Sequence, residues 1–267
     1  MKNAHQLTPN KSIRISDLPT EADEFHSNRE EAEREFAELR EEFIALQYKM
    51  YADGRHKLLV ILQAMDGGGK DGTIRHVFKG VNPQGVHVIS FKGPSSEELA
   101  RDYLWRIHKA VPPRGLIGVF NRSHYEDVLI VRVEQLVSEQ IWRQRYEQIN
   151  EFERYLTDTG TTILKFFLNI SKEEQKQRFQ ARLEDKDKQW KFSVLDLAKR
   201  EQWNDYMQAY EDVLNRCTTE AAPWYAIPAD QKWYRNLAVV RTIVETMRDL
   251  KFKMPEPPQG IDKITIK

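Results

Sequence analysis

The sequence is short of several things, and each shortage excludes a class of protein. A single cysteine, Cys217, rules out an internal disulfide and suits a reducing compartment. No run of about 18 apolar residues occurs, and the opening MKNAHQLTPNKSIRISDLP lacks the apolar core of a signal peptide. A cytoplasmic location and no membrane partner are therefore expected. Charge of one sign is not in excess either: 41 basic residues offset 41 acidic ones. No global field draws in nucleic acid, so none is expected as a partner, and any polyanion has to be held by a local basic patch. There is no internal repeat and no linker that would divide the chain. At 267 residues the sequence accommodates one large α/β domain with appendages, or two small domains.

What is present is a rhythm. Residues 1–27 are polar and aperiodic and read as an arm over the body. From Asn28 to Ala52, Phe36, Leu39, Phe43, Leu46 and Met50 recur at spacings of three and four, giving an amphipathic helix that Gly54 stops. Residues 1–54 thus form an arm and a helix packed on a core at 55–250, and the proline-rich 251–267 is a tail. In the core, KLLVILQA is the continuous apolar run of a buried parallel strand. Further strand patterns at 86–91, 116–120, 161–170 and 224–228 alternate with helix patterns at about 71–80, 95–111, 123–133, 138–158 and 233–250. This alternation predicts a doubly wound parallel sheet of about five strands, flanked by helices. One segment interrupts it. Residues 178–203 are a charged helix-loop-helix between the fourth and fifth strands, either a solvated hairpin or a lid over a phosphate site.

The stretch LLVILQAMDGGGKDGTIRHVF, Leu58 to Phe78, departs from the phosphate-loop pattern GxxxxGK(S/T) at both ends. Ala64 replaces the first glycine, Asp71 replaces the magnesium-binding hydroxyl, and Asp66 adds a carboxylate inside the loop. The context is nevertheless that of a phosphate loop: strand, glycine-rich turn, lysine, helix. Gly67, Gly68 and Gly69 let backbone N–H groups converge on an anion, and the turn through Asp71, Gly72 and Thr73 aims the helix start at it. Lys70 supplies a compact charge for phosphoryl oxygens. The strand at 116–120 ends in Asn121, so the usual second acid is missing, and no NKxD-type guanine reader occurs. Asp66 is the nearest carboxylate for a metal.

Two more constellations accompany the loop. In VFNRSHYEDVLIVRV, Arg122 follows a strand end, where it suits bidentate phosphate binding. Glu126 and Asp127 come within one helical turn, and Arg132 lies on the same helix. In SFKGPSSEELARDYLWRIHKAVP, Lys92, Arg101, Arg106, His108 and Lys109 make either a solvated face or, with Arg178, Arg182, Lys186, Lys188, Lys191 and Arg200, the wall of a polyanion channel.

The motifs AMDGGGKDGTI, GVNPQGV, ELARDYLWRIHKAVP, FNRSHYEDVLIVRV, FFLNISKEEQ, WKF and WYAIPADQKWYRN, in that order, resemble the second family of polyphosphate kinases over about residues 30–250. The NRSHYED form looks like its class III branch. The resemblance implies a P-loop kinase-like fold similar to thymidylate kinase, with a helical lid. It also implies reversible phosphoryl transfer from inorganic polyphosphate to AMP, ADP and other nucleotides. Magnesium (Mg2+) is the implied ion, with manganese (Mn2+) as the alternative, and the implied assembly is a homodimer or homotetramer. On that resemblance Asp66, Lys70, Arg122, Asp127 and Arg132 are the catalytic residues, with Asp66 and Asp127 toward the metal. Arg178, Arg182, Lys186, Lys191, Arg200, His108 and Lys109 face polyphosphate. Asn82, Lys92, Arg101, Tyr125 and Glu126 face the nucleotide, with Trp105, Phe91 or Tyr125 as the aromatic contact. Other branches carry an acid where this sequence has Asn121, which leaves Asp127 to compensate. Two other readings stand beside this one: an ATP-dependent nucleoside-monophosphate kinase, and a nucleotide-binding regulator without turnover.

Overall fold

The computed structural model describes residues 3–266, apart from the side chains of Lys191 and Asp262. Its first long element is helix α1, Arg29–Asp53. The Asn28 side chain caps it by accepting from the N–H groups of Glu30 and Glu31, and Gly54 ends it in the left-handed region at φ 66°. The core then runs β1 (Lys57–Gln63), α2 (Lys70–Val77), β2 (Val86–Ser90), α3 (Ser96–Leu99), α4 (Trp105–Ala110) and β3 (Ile117–Asn121). After a 3-10 turn (His124–Val128) come α5 (Ile130–Val133), α6 (Glu139–Asp158), β4 (Thr161–Asn169), α7 (Lys172–Glu184) and α8 (Val194–Glu201). The last elements of the core are α9 (Trp203–Arg216), β5 (Trp224–Pro228) and α10 (Lys232–Asp249).

The five strands are all parallel, in the order β2-β3-β1-β4-β5. The chain lays β2 and β3 on one side of β1, then crosses to lay β4 and β5 on the other. The carboxyl end of β1 therefore lies at the switch point of the sheet, where such folds open a crevice for a ligand. Leu58 to Leu62 are fully buried, which is why this strand reads as an unbroken apolar run. The outer edge of β5 is covered by the N-terminal segment: Leu7 N–H donates to Trp224 O and Ala226 N–H donates to His5 O, both at 2.9 Å. That segment continues past Asn215, whose side chain accepts from Ile13 N–H at 2.8 Å, and past Asn169, whose amide donates to Leu18 O at 3.0 Å.

Several expected elements differ in detail. The helix expected over 95–111 is two short ones, because Ser95 and Glu98 close a capping box on α3 and Asp102 then caps the turn into α4. The helix expected over 123–133 is a 3-10 turn followed by α5, broken at Leu129, whose φ −105° and ψ −88° are not helical. The hairpin expected at 178–203 begins earlier, at Lys172, and is followed by α9, which the sequence reading passed over. Its buried Trp203, Tyr206, Tyr210 and Val213 recur at three and four.

Between β4 and α6 lies an ionic cluster that composition does not announce. Lys165 on β4 and Glu153 on α6 pair at 2.5 Å, with side chains 0% and 1% exposed. The Tyr125 hydroxyl donates to Glu153 at 2.8 Å, Lys165 also donates to Cys217 O at 2.7 Å, and His124 Nε2 lies 3.2 Å from Glu153. Burial pushes the Glu153 carboxyl up, but Lys165 and His124 outweigh it and hold the group ionised. Removing one partner strands the other charge. Lys165→Met alone is expected to cost about 3–5 kcal/mol, and Lys165→Met with Glu153→Leu to recover most of it. Denaturant unfolding of both variants measures the difference; equal losses would contradict the pairing.

Candidate active site

The loop after β1 turns on its glycines. Gly67 and Gly69 have φ of 82° and 98°, in the left-handed region. A Cβ on Gly68 would lie 2.5 Å from that of Ala64, so the loop also packs too tightly there for any side chain. Lys70, first residue of α2, curls back so that Nζ donates to Ala64 O at 2.7 Å. Its side chain is buried. Burial and the neighbouring Arg122 bring its pKa down to about 8, against the opposing pull of Asp66, Glu126 and Asp71.

Asp66 is the centre of the site. Arg122 Nη2 donates to Oδ1 at 2.5 Å, and Lys199 Nζ reaches Oδ2 at 3.3 Å from α8. Burial alone would raise its pKa, but Lys70, Arg122 and Lys199 bring it down to about 2, so it is ionised throughout the working range. Arg122 reaches it from the end of β3 with a backbone φ of 64°, unusual for a non-glycine residue, and its N–H donates to Leu62 O at 3.1 Å. Glu126 accepts from the buried Gln63 side chain at 2.9 Å. Asp66, Arg122, Glu126 and Lys199 line one cavity with Tyr206 and Tyr210 of α9, and the Tyr206 hydroxyl has no partner among the described residues.

The acid at the start of α2 and the amide at the end of β3, each unexpected in its place, meet each other. The Asn121 amide donates to Asp71 Oδ1 at 2.7 Å. The acid usual on the neighbouring strand has in effect moved to the start of α2, and an amide has taken its place on the strand.

Other expected site residues are placed elsewhere. Asp127 accepts from Arg145 at 3.0 Å rather than sharing a site with Asp66, and burial raises its pKa to about 6 against Arg145 and Arg106. Arg132 is held by Asp212 at 2.6 Å and Tyr146 at 3.1 Å, between α6 and α9. Tyr125 is fully buried in the ionic cluster, which removes it as the aromatic contact for a base. No group of three or more His, Cys, Asp or Glu side chains suited to a metal occurs among the described residues.

The cations of the insertion divide. Arg178 is buried and donates to Gly67 O at 2.9 Å, Ala229 O at 2.5 Å and Glu174 at 2.7 Å, so it braces the loop. Arg182 lies 3.9 Å from Asp196, and Arg200 donates to Lys172 O and Gln175. Lys186 is exposed, and the side chain of Lys191 lies outside the described residues. A second hollow is lined by Phe91, Lys92, Glu98, Arg106 and Lys109. Arg101 and Lys109 lie 4.3 and 4.1 Å from the Trp105 ring, and His108 packs on Phe152. Asn82 is exposed and caps the 3-10 turn Pro83–Gly85.

Sequence reasoning missed Lys199, Gln63, Tyr206 and Tyr210. Only the helical spacing of α9 carried a signal for the tyrosines.

A glycine-rich turn between a buried parallel strand and a helix, at the switch point of the sheet and with a buried lysine, defines a P-loop phosphate-binding protein. Residues 26–255 match the family described as Polyphosphate kinase 2 (PPK2), and the chain belongs to that family. It is 53% identical over 248 residues to the AMP/ADP-polyphosphate phosphotransferase of Meiothermus ruber, covering 93% of each chain. It is 46% identical over 258 residues to the ADP-polyphosphate phosphotransferase of Rhodopseudomonas palustris, covering 92% of this chain and 89% of that one. Among solved structures it superposes on polyphosphate kinase 2 from Arthrobacter aurescens TC1 with a TM-score of 0.92 at 40% identity, over 97% of this chain and 93% of that one.

The lowered pKa of Lys70 fixes a pH dependence. The ammonium is the anion-binding form, and in the folded protein its proton leaves near pH 8 rather than 10.5. Affinity for inorganic tripolyphosphate is expected to be full below pH 8 and to fall about tenfold per pH unit above it. Calorimetric titration between pH 7 and 9.5 measures this, and a flat profile would place Lys70 outside the binding site.

Proposed function

We propose that the chain transfers a phosphoryl group from inorganic polyphosphate to AMP and to ADP, reversibly and with magnesium, in the manner of the class III branch. The observation that carries this is Asp66, ionised between Arg122 and Lys199 and beside a buried lysine on a glycine loop. A polyphosphate donor presents no base, so cations and backbone amides suffice to bind it. The hollow at Phe91, Lys92, Arg106 and Lys109 offers a ring and cations for the nucleotide. The names of the Meiothermus ruber and Rhodopseudomonas palustris relatives support the same substrates.

The donor set fits a hard cation. Magnesium takes oxygen ligands and is commonly held by one or two carboxylates, with substrate phosphates completing the shell. Asp66 is of that kind, and Asp71 keeps one carboxylate oxygen without a hydrogen bond among the described residues; manganese is the alternative ion. Bound there, the ion would supply charge between two anionic substrates. In a loose transition state the protein's part is positioning and charge. Lys70 and the loop amides hold phosphoryl oxygens, and Arg122 adds a planar pair of donors beside Asp66. The α7–α8 hairpin acts as the lid, since Lys199 carries the contact from α8 to Asp66.

The same reading carries a cytoplasmic homodimer or homotetramer with no nucleic-acid or membrane partner. No described helix is long and apolar enough to cross a membrane. Tyr48 and Tyr51 on α1 and Val88 on the edge strand β2 are exposed apolar side chains that support an assembly.

AMP, polyphosphate and magnesium without ATP should yield ADP and then ATP, while ATP in place of polyphosphate should yield no comparable turnover. A product series that stops at ADP, or turnover that requires ATP, would overturn the substrate assignment. Asp66→Asn keeps the size of the side chain and removes its charge. It should lower kcat by about two orders of magnitude or more in a protein that still unfolds cooperatively, at a lower melting temperature because Arg122 and Lys199 lose their carboxylate, whereas Asp71→Asn should lose about tenfold or less. The reverse ranking would move the metal to Asp71.

A further inference from the structure

Arg235 is not used by the chemistry above, yet it lies against the phosphate loop. It sits in the first turn of α10 and is 2% exposed. Its guanidinium rests on the turn into α2: a Cβ on Gly69 would lie 1.9 Å from Nη1, and one on Gly72 would lie 3.4 Å from Nη2. Glycine at 69 is thus required twice, for its φ of 98° and for the room this arginine takes.

A buried arginine normally has a carboxylate. Here Nε and Nη2 both donate to the neutral Asn236 Oδ1, at 3.2 and 2.9 Å, and Nη1 has no hydrogen-bond partner among the described residues. Glu174, the acid whose charge acts on it, is already paired with Arg178 at 2.7 Å. Burial and the neighbouring Arg178 lower the Arg235 pKa to about 9, so the group is still charged at neutral pH. An unpaired buried cation is unfavourable in the ligand-free protein. It becomes favourable when an anion arrives at the amides of the helix start in front of it.

We propose that Arg235 is a further anion-binding residue of this site, completing from behind Gly69 the seat for a phosphoryl oxyanion at the start of α2. The assignment rests on the phosphate-binding reading of the loop and adds to it a counter-charge that the phosphate-loop pattern does not contain. The oxyanion belongs either to the polyphosphate donor or to the nucleotide, and the two are separable.

Two variants of the full chain test it by calorimetric titration with inorganic tripolyphosphate and, separately, with ADP, alongside thermal melting without ligand. Arg235→Met removes the charge and keeps the stem. Asn236→Asp is nearly isosteric and hands Arg235 a carboxylate where it already makes two hydrogen bonds, which neutralises the arginine in place. Both variants are expected to melt at or above the wild-type temperature without ligand and to bind more weakly by about tenfold or more. Weakening toward tripolyphosphate assigns the seat to the donor, and weakening toward ADP alone assigns it to the nucleotide. Wild-type affinity for both ligands in Asn236→Asp overturns the proposal, whatever Arg235→Met does, because it leaves Arg235 a merely structural part of the loop. Wild-type protein that binds neither ligand refutes the phosphate-site reading itself, a result distinct from unchanged variants.

Discussion

Positive charge held out of water at the end of β1 is the constraint that the rest of the site answers. The chain as a whole is neutral, but Lys70, Arg178 and Arg235 are each buried within reach of one loop. Burial, and then repulsion from a neighbouring arginine in a low-dielectric setting, lower the pKa values of Lys70 and Arg235. The protein manages the repulsion mainly with neutral dipoles. Lys70 is satisfied by Ala64 O, Arg178 by Gly67 O and Ala229 O, and Arg235 by the Asn236 amide. Carbonyl dipoles solvate a cation without cancelling its charge, so the field remains available to a polyanion. Asp66 is the counterpart: a carboxylate kept ionised because three cations face it.

That arrangement needs a rigid neighbour, and β3 with its following turn provides one. Arg122 adopts the left-handed region, a conformation that costs a non-glycine residue about 1–2 kcal/mol. The residues after it are pinned from below. Ser123 caps the turn by accepting from Tyr125 N–H, and Tyr125 and His124 both engage Glu153, which Lys165 holds. The ionic cluster in the core is therefore coupled through two or three residues to the guanidinium that meets Asp66. Glu126 on the same turn is fixed from the other side by Gln63 of β1.

The sheet and the loop were legible in the sequence because their determinants are local. A strand buried on both faces shows an unbroken apolar run, and the glycines and lysine of the loop are consecutive. The pairings were not legible. Asp127 and Arg132 sit in a motif rich in charge, yet their partners are Arg145 and Asp212, and nothing near either residue reveals that choice. Tyr125 looks in sequence like an available aromatic and is instead a hydroxyl spent inside the core. Arg178 reads as one more cation of a charged hairpin, although its neighbour Phe179 is buried and the helix face they share packs on the loop. Lys199 stands beside Arg200, which was singled out, and only the tertiary fold decides which of the two meets Asp66. The exchange of acid and amide between Asp71 and Asn121 could be noticed at each position separately, but that the two touch is a property of the sheet order.

The N-terminal segment along β5 has a consequence for how the protein is made. Its contact with Tyr225 joins a part of the chain that leaves the ribosome before the whole sheet to the strand that leaves it after the other four. During synthesis this segment has no surface to dock on, while the strands that precede β5 can already pair with one another. Until β5 arrives the growing sheet presents the outer side of β4, an open edge of the kind that recruits foreign strands. The waiting segment carries His5, Gln6, Asn10, Lys11, Arg14 and Asp17 among few apolar residues. That polarity, without a role in the chemistry, keeps a long-unpaired stretch in solution until its partner is translated.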